Sequence, residues 1–404
     1  MEAEDLQEWA EEFTAFHARF ASLFGRSEPR EQAAKYLRGL LARSVQRKNG
    51  WQMAEAVGDA IPDPMQRLLY RTLWDADAAR DRLQDYIAET FGDPQALVVL
   101  DETGFLKKGT HSVGVQRQYT GTAGKIENAQ VGVFLAYASP RGHVLLDRRL
   151  YLPRSWAEDA ERREGAGVPE GVTFQTKPQL AGAMLEHLWA RGLPMGWVAG
   201  DEVYGNDAPL RERIAAHGYR YVLSVSSLQR VWTTRPAVEP TGRPRLRARL
   251  AAGEPPALAV ADVVALWPAG CWQRLAVGQG EQGERLYDWG AQRVVESRDD
   301  LPGREVWLLA RRSVTDPQEL AYYLAHAPAE TPLAELARRA AQRYVVEQSL
   351  EEGKGETGLD EYEVRRWDSW HRHITLAMMA LAFLSAVRSR ETAKKGGLRP
   401  SWPN

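Results

Sequence analysis

Two short apolar runs, each followed at once by an acid, constrain this chain most. Ala96-Leu97-Val98-Val99-Leu100 leads into Asp101, and Trp197-Val198-Ala199-Gly200 leads into Asp201. Continuous apolar runs of this length are the pattern of strands buried on both faces. A carboxylate at the end of such a strand needs a partner, because an unpaired charge beside a low-dielectric core is costly. One such acid reads as a turn or a helix cap. Two of them, 100 residues apart, read as candidates for one site, because ligands of open α/β sheets collect at strand carboxyl ends. If the strands are neighbours, the carboxylates repel, and a divalent cation relieves the repulsion. An all-oxygen donor set favours magnesium or manganese.

The surrounding pattern predicts a mixed α/β sheet with flanking helices. Trp9, Phe13, Phe16, Phe20 and Leu23 recur at helical spacing, as do Met65, Leu68, Leu69 and Leu73. Residues 1–92 are therefore expected to form an N-terminal helical domain, closed by Gly92-Asp93-Pro94. Residues 93–225 read as the first part of the core. Its strands are expected at 96–100, 112–119, 131–138, 144–152, 197–200 and 219–225, and its helices at 180–193 and 209–217. Residues 226–328 read as a β-rich insertion, with strands near 272–277, 285–294 and 306–310. Helix resumes near Pro332 and, with a break at 353–358, runs to Arg390. Residues 329–392 are thus the expected C-terminal helical part of the core, and 393–404 a tail.

Charge and cysteine content narrow the classes. Lys+Arg is 52 and Asp+Glu is 54, which excludes a histone-like basic protein but not a local basic groove. Residues 226–250 hold Arg230, Arg235, Arg243, Arg245, Arg247 and Arg249 against Glu239 alone, a candidate phosphate-contacting arm, expected to be exposed. The single Cys271 excludes an internal disulfide and a cysteine-built zinc site, and fits a reducing compartment. The longest apolar stretch, 374–387, has 14 residues and is bracketed by Arg372, His373 and Arg388. It falls short of the roughly 20 that a membrane span requires, so it is expected to be a buried helix, with no membrane partner.

A third acid should complete the site. Arg343, Glu347 and Lys354 fall on one stripe of a helix expected over 334–352 and beyond. Glu351, Glu352 and Glu356 are also available. Lys107, Lys108, Arg117 and Lys125 suggest a basic rim beside Asp101. Gly121-Thr122-Ala123-Gly124-Lys125 lacks the spacer of a phosphate loop and has Ile126 where Ser or Thr is required, so no nucleotide cofactor is expected. His371 and His373 read as surface residues within reach of phosphate. No HExxH or GxSxG pattern occurs.

These residues resemble the DDE-type insertion-sequence transposases. The stretch from Val99 to Gly109, with Asp101-Glu102-Thr103-Gly104 and Lys107-Lys108, is similar to the first catalytic block of that family, and Gly114 to Gly121 follows it as in the family. Ala199-Gly200-Asp201-Glu202-Val203-Tyr204-Gly205 resembles the second block. Arg343, Glu347 and Lys354 match the spacing of the third, although Ala340 stands where the family often has Tyr. The stretches 355–360 and 370–383 are similar too, so the likeness covers most of residues 50–390.

The resemblance implies a ribonuclease H-like catalytic core with a β-rich insertion. It implies a cut-and-paste transposase that binds the terminal inverted repeats of a mobile element, cleaves its ends, commonly through a DNA hairpin, and joins them to target DNA. Asp101, Asp201 and Glu347 would be both catalytic acids and metal ligands, holding two Mg2+ ions, with Mn2+ able to substitute. Arg343 and Lys354, with Lys107, Lys108, Arg117, Lys125 and Arg230, would contact DNA. Trp232, Trp272 or Trp289 would offer a stacking face for a displaced base, and Trp267 lies nearby. Double-stranded DNA, as transposon ends and as target, is the implied partner, with a homodimer in the DNA complex. The implied location is the bacterial cytoplasm, on the nucleoid when bound to DNA. Two other readings stay open: a catalytically silent DNA-binding regulator, and a ribonuclease H-like nuclease or resolvase that cuts without joining.

Overall fold

The computed structural model describes residues 3–243, 246–280 and 283–394. The chain forms two compact units. Among the described residues, one contains those up to 195 together with 345–394, and the other contains those between 196 and 344.

The first unit opens with five helices, within the stretch that the sequence reads as helical. They are α1 (Ala3–Ala18), α2 (Ser27–Leu41), α3 (Gly50–Ala56), α4 (Asp63–Tyr70) and α5 (Ala76–Phe91). Their starts are set by local chemistry. Asn49 accepts from the Trp51 and Gln52 N–H groups to start α3, Asp75 accepts from Asp77 and Ala78 to start α5, and Pro64 occupies the first turn of α4. Four strands follow: β1 (Leu97–Leu106), β2 (Gln116–Thr120), β3 (Lys125–Ser139) and β4 (Gly142–Tyr151). The long β3 pairs antiparallel with the other three. Two short helices, α6 (Arg154–Ala157) and α7 (Ala160–Ala166), lead to α8 (Lys177–Ala190), which packs on β3 and β4. Thr176 and Gln179 close α8 with a reciprocal capping box.

The second unit contains β5 (Trp197–Gly200), α9 (Glu202–Gly205), α10 (Ala208–Ala216) and β6 (Arg220–Val225), then β7 (Arg230–Trp232), β8 (Val238–Arg243), β9 (Leu246–Leu250) and β10 (Leu258–Ala259). After α11 (Val260–Ala265) come β11 (Gln273–Gly280), β12 (Gly283–Arg298), β13 (Leu301–Ser313) and β14 (Leu320–His326). β5 and β6 are parallel, and β6, β14, β13, β12 and β11 continue as an antiparallel series. Asp299 and Asp300, with φ of 49° and 58°, turn β12 into β13, the left-handed pair that a tight two-residue hairpin requires. The unit ends in α12 (Leu333–Ala341) and a 3-10 turn at Gln342–Tyr344.

The chain then returns to the first unit as α13 (Val345–Thr357) and α14 (Trp367–Lys394). α13 packs on β1, β3 and β4. α14 is buried without interruption from Ser369 to Phe383, against α2, α4, α5, α13 and β4. That explains the apolar stretch as core. Among the described residues no helix is long and apolar enough to cross a membrane.

The mixed α/β class expected from the sequence is the class observed. Several local expectations are corrected. β1 does not stop at Asp101. The register of β3 carries it on to Leu106, opposite Ala129, so Asp101 sits mid-strand, where burial first relaxes. The helix expected over 334–352 is two helices, and its break has no Gly or Pro to cause it. It falls where the chain passes between units: α12 buries Leu336 and Ala337 in one, α13 buries Val345 and Val346 in the other. The later break is not at 353–358. α13 runs through Gly353 and Gly355 to Thr357 and is stopped by Gly358, whose φ of 63° is left-handed, the conformation that glycine adopts most readily at a helix C-terminus. Within 226–250, β8 and β9 pair as a ribbon, so this segment is not a plain loop. Arg245 and most of the expected tail, 395–404, lie outside the described residues.

Candidate active site

In the second unit, Asp201 follows directly on the buried strand β5 and caps the single turn of α9. Its Oδ1 accepts the Val203 N–H at 2.9 Å. The turn is pinned from below. Gly205 lies so close to β6 that a Cβ there would stand 1.7 Å from the Ser224 carbonyl oxygen. Arg211, buried in α10, donates from Nη1 to the Gly205 carbonyl and from Nε and Nη2 to Glu296 on β12.

Asp201 opens into a cleft of about 400 Å³ that this unit builds by itself. The register explains its floor. Arg285, Tyr287 and Trp289 alternate onto one face of β12. Trp289 lies opposite Arg311, Arg311 opposite Ala321, and Tyr323 opposite Ser224. One sheet face thus presents arginines and tyrosines side by side. The 3-10 turn adds Arg343 and Tyr344. The Arg285 guanidinium lies 4.3 Å from the Tyr344 ring centre, and that of Arg311 lies 4.5 Å from Tyr287. Burial raises the Tyr323 hydroxyl pKa, while the charges of Arg311 and Arg343 pull it down.

In the first unit, the Oδ1 of Asp101 accepts the Glu102 N–H at 2.8 Å, and Lys177 pairs with Glu102. Glu347 and Lys354 stand two turns apart on α13, half-buried. Lys354 donates to Thr122 at 3.3 Å, and Thr122 donates in turn to the Gly104 carbonyl at 3.1 Å. This chain ties the α13 face to β1, three residues from Asp101. Burial lowers the Lys354 pKa. Of the other acids on α13, Glu352 and Glu356 are both held by Arg388 of α14.

The expected basic rim divides. Lys107 sits 3.6 Å from the Tyr362 ring centre and donates to the Tyr362 carbonyl, and burial lowers its pKa to about 8. Lys108, Arg117 and Lys125 are exposed, with Lys125 at 3.1 Å from Glu127. Arg230 is exposed beside Asp300. The stacking candidates divide too. Trp232 and Trp289 are buried, and Trp232 donates to the Pro255 carbonyl, so neither has a face for a base. Trp272 is half-buried, tilted against Trp267 and faced by Arg312. His371 and His373 are buried in α14 and cannot be surface phosphate contacts.

Sequence reasoning did not single out Arg285 or Arg311, and it read Tyr344 as core packing, whereas Tyr344 is half-buried and lines the cleft. The alternation Arg285, Tyr287, Trp289 was visible, but the partners that make it a cleft come from register. Asp101, Asp201 and Glu347 each carry only carboxylate oxygens, the donor type a hard divalent cation takes. Among the described residues, however, no group of three or more His, Cys, Asp or Glu side chains is gathered to hold one.

The chain belongs to the DDE superfamily endonucleases: the model of that family matches residues 19–284, more than half of the chain. The match includes Asp101 and Asp201 and ends before Glu347. The chain is 28% identical over 179 residues to a probable transposase for insertion sequence element IS701 of Microchaete diplosiphon, a match that covers 43% of each protein. It thus spans less than half of that relative's length. Across 92% of this chain and 68% of the other, it is similar to a piggyBac transposase in a synaptic complex with hairpin DNA, at 12% identity and a TM-score of 0.40, too distant to bear on function.

Proposed function

We propose that this chain is a cut-and-paste DNA transposase that binds the terminal inverted repeats of a mobile element, cleaves its ends and joins them to target DNA. The observation that carries the reading is Asp201 at the end of a buried strand, opening into a cleft with Arg285, Arg311 and Arg343. A carboxylate set among guanidiniums suits a phosphodiester, which needs its charge neutralised while phosphorus is attacked.

Asp101, Asp201 and Glu347 are the proposed metal-binding acids, for two magnesium ions or manganese in their place. When bound, the ions supply activation of the attacking oxygen and stabilisation of the leaving one. The backbone N–H groups of Glu102 and Val203 hold the two aspartates oriented. Arg343 and Lys354 hold phosphate oxygens, with Lys108, Arg117, Lys125 and Arg230 as outer contacts and Lys107 as a support of the first block. Passage through a DNA hairpin, with Trp272 as the stacking face, and action as a homodimer on DNA belong to the same proposal.

The test is nicking of a supercoiled plasmid that carries the native flanks, in magnesium, manganese or chelator. Metal-dependent nicking is expected, with at least a hundredfold loss in Asp101→Ala, Asp201→Ala and Glu347→Ala. Binding to the flanks without nicking by the wild type would identify a silent regulator instead. Nicking without joined product, with target DNA supplied, would identify a nuclease or resolvase.

A further inference from the structure

The cleft holds two arginines that neither the sequence blocks nor the matched family assigns a role. Arg285 and Arg311 come from adjacent strands, β12 and β13, on the same sheet face. Each lies over a tyrosine ring, Tyr344 and Tyr287 respectively. Stacking leaves the edge of a guanidinium, with its N–H fork, available for an in-plane acceptor. It also fixes the plane in advance, so less side-chain entropy remains to be lost when a ligand binds. Arg311 pairs with Glu319 at 4.0 Å, a long contact at which the pair is weak. Arg311 and Arg343 line the same cleft as Tyr323, and the charges of both act on its hydroxyl.

An arginine cluster of this kind has a cost without an anion. Like charges on one face repel, and among the described residues Asp201 and Glu202 supply the carboxylates that line the cleft. The ligand that satisfies planar, stacked guanidiniums is a tetrahedral oxyanion bound through paired oxygens. Arg311 lies opposite Trp289, four residues along β12 from Arg285, so the two side chains enter the cleft from backbone points about 14 Å apart. Two guanidiniums that reach in from such separated points suit two phosphates along an extended nucleic-acid strand.

We propose that Arg285 and Arg311 form a two-point clamp for two phosphates of one DNA strand, held by Tyr344 and Tyr287, and that this strand is the one whose bond is cut beside Asp201. The clamp deepens the transposase reading and rests on it. Tyr344 directly follows Arg343, so the same 3-10 turn carries one phosphate contact and the platform of another. The tyrosines are positioning residues; the arginines touch the substrate.

The test is the salt dependence of binding to duplex DNA that carries the native end, read by fluorescence anisotropy with calcium in place of magnesium. Each lost phosphate contact lowers the slope of log K against log[salt] by about 0.9. Arg285→Gln and Arg311→Gln are each expected to lower it by about one, and the double variant by about two, with Arg285→Lys near the wild-type slope. Arg274→Gln, on the opposite sheet face where Arg274 pairs with Asp288, is expected to leave the slope unchanged. Unfolding midpoints within a few degrees of wild type certify the fold. If the two Gln variants are folded and keep the wild-type slope, the clamp is overturned, while wild-type binding and metal-dependent nicking keep the transposase reading. If the wild type itself neither binds nor nicks the DNA, both fall together.

Discussion

Arg211 and Glu296 form a buried ion pair in which Nε and Nη2 of the arginine both reach Oε2 of the glutamate, at 3.1 and 3.0 Å. Both side chains are essentially inaccessible to water. The same guanidinium donates to the carbonyl of Gly205, at the end of the turn that Asp201 caps. The pair therefore connects β12, α10 and the turn that the proposed metal ligand caps.

Removing one partner should cost far more than removing both. Arg211→Met leaves a carboxylate buried without its main cation and is expected to destabilise the chain by about 3–5 kcal/mol. The Arg211→Met, Glu296→Leu double variant should recover most of that loss. Urea unfolding of the four proteins of this cycle measures it, and equal losses in the single and double variants would refute the account.

Gly205→Ala should act on catalysis through backbone displacement. The added methyl would meet the Ser224 carbonyl at 1.7 Å and the Leu223 Cβ at 3.2 Å, and neither is the far end of a flexible side chain. The α9 turn must then shift, and Asp201 with it. The expected outcome is a nicking rate at least tenfold lower, with a lower unfolding midpoint. Wild-type nicking would show that the close approach is not needed.

Acid should destabilise the protein through α14. Burial lowers the pKa of His373 to about 4 and that of His371 to about 3, from an ordinary 6.5. His373 is built for the neutral ring: Nε2 can donate to the Gly358 carbonyl at 3.0 Å while Nδ1 accepts from the Tyr36 hydroxyl at 2.8 Å. Above pH 6.5 both states are neutral and the full stability is present. As pH falls from 6.5 towards 4, the unfolded chain takes up protons that the folded one refuses, and stability is lost. Each histidine contributes a slope of up to about 1.4 kcal/mol per pH unit. His373→Gln should reduce the measured slope by about one proton, a comparison made by urea unfolding at pH 7, 6 and 5. An unchanged slope would sink the assignment.

Glu356→Gln separates Glu347 from the other acids of its helix. Glu356 is committed to Arg388, a half-exposed pair at the surface of the first unit. Its loss should cost no more than about 1 kcal/mol and leave nicking within twofold of wild type, against the loss expected for Glu347→Ala. Nicking abolished by Glu356→Gln would move the third acid there.

The legible parts of the fold were those governed by neighbours in the chain. The apolar runs before Asp101 and Asp201, the helical character of the opening stretch and the buried stretch of α14 all follow from periodicity and composition. The errors fell where a distant segment decided. β1 runs past Asp101 because β3 offers it pairing partners as far as Ala129. The helix expected over 334–352 breaks because its halves bury in different units. His371 and His373 look polar in sequence, yet Gly358 and Tyr36 satisfy His373, the Trp367 carbonyl satisfies His371, and both are core.

The sequence by itself determined the chemistry on offer: two acids after buried strands, a third with Arg343 and Lys354 at family spacing, and one cysteine too few for a disulfide. Side-chain type and local spacing fix those, and no fold changes them. Only the tertiary structure decided which residues share a surface. Register set Arg285, Tyr287 and Arg311 on one face, and the closeness of Gly205 to Ser224 fixed the turn that carries Asp201. Strand pairing is non-local: a shift of one residue would turn every one of those side chains to the opposite face.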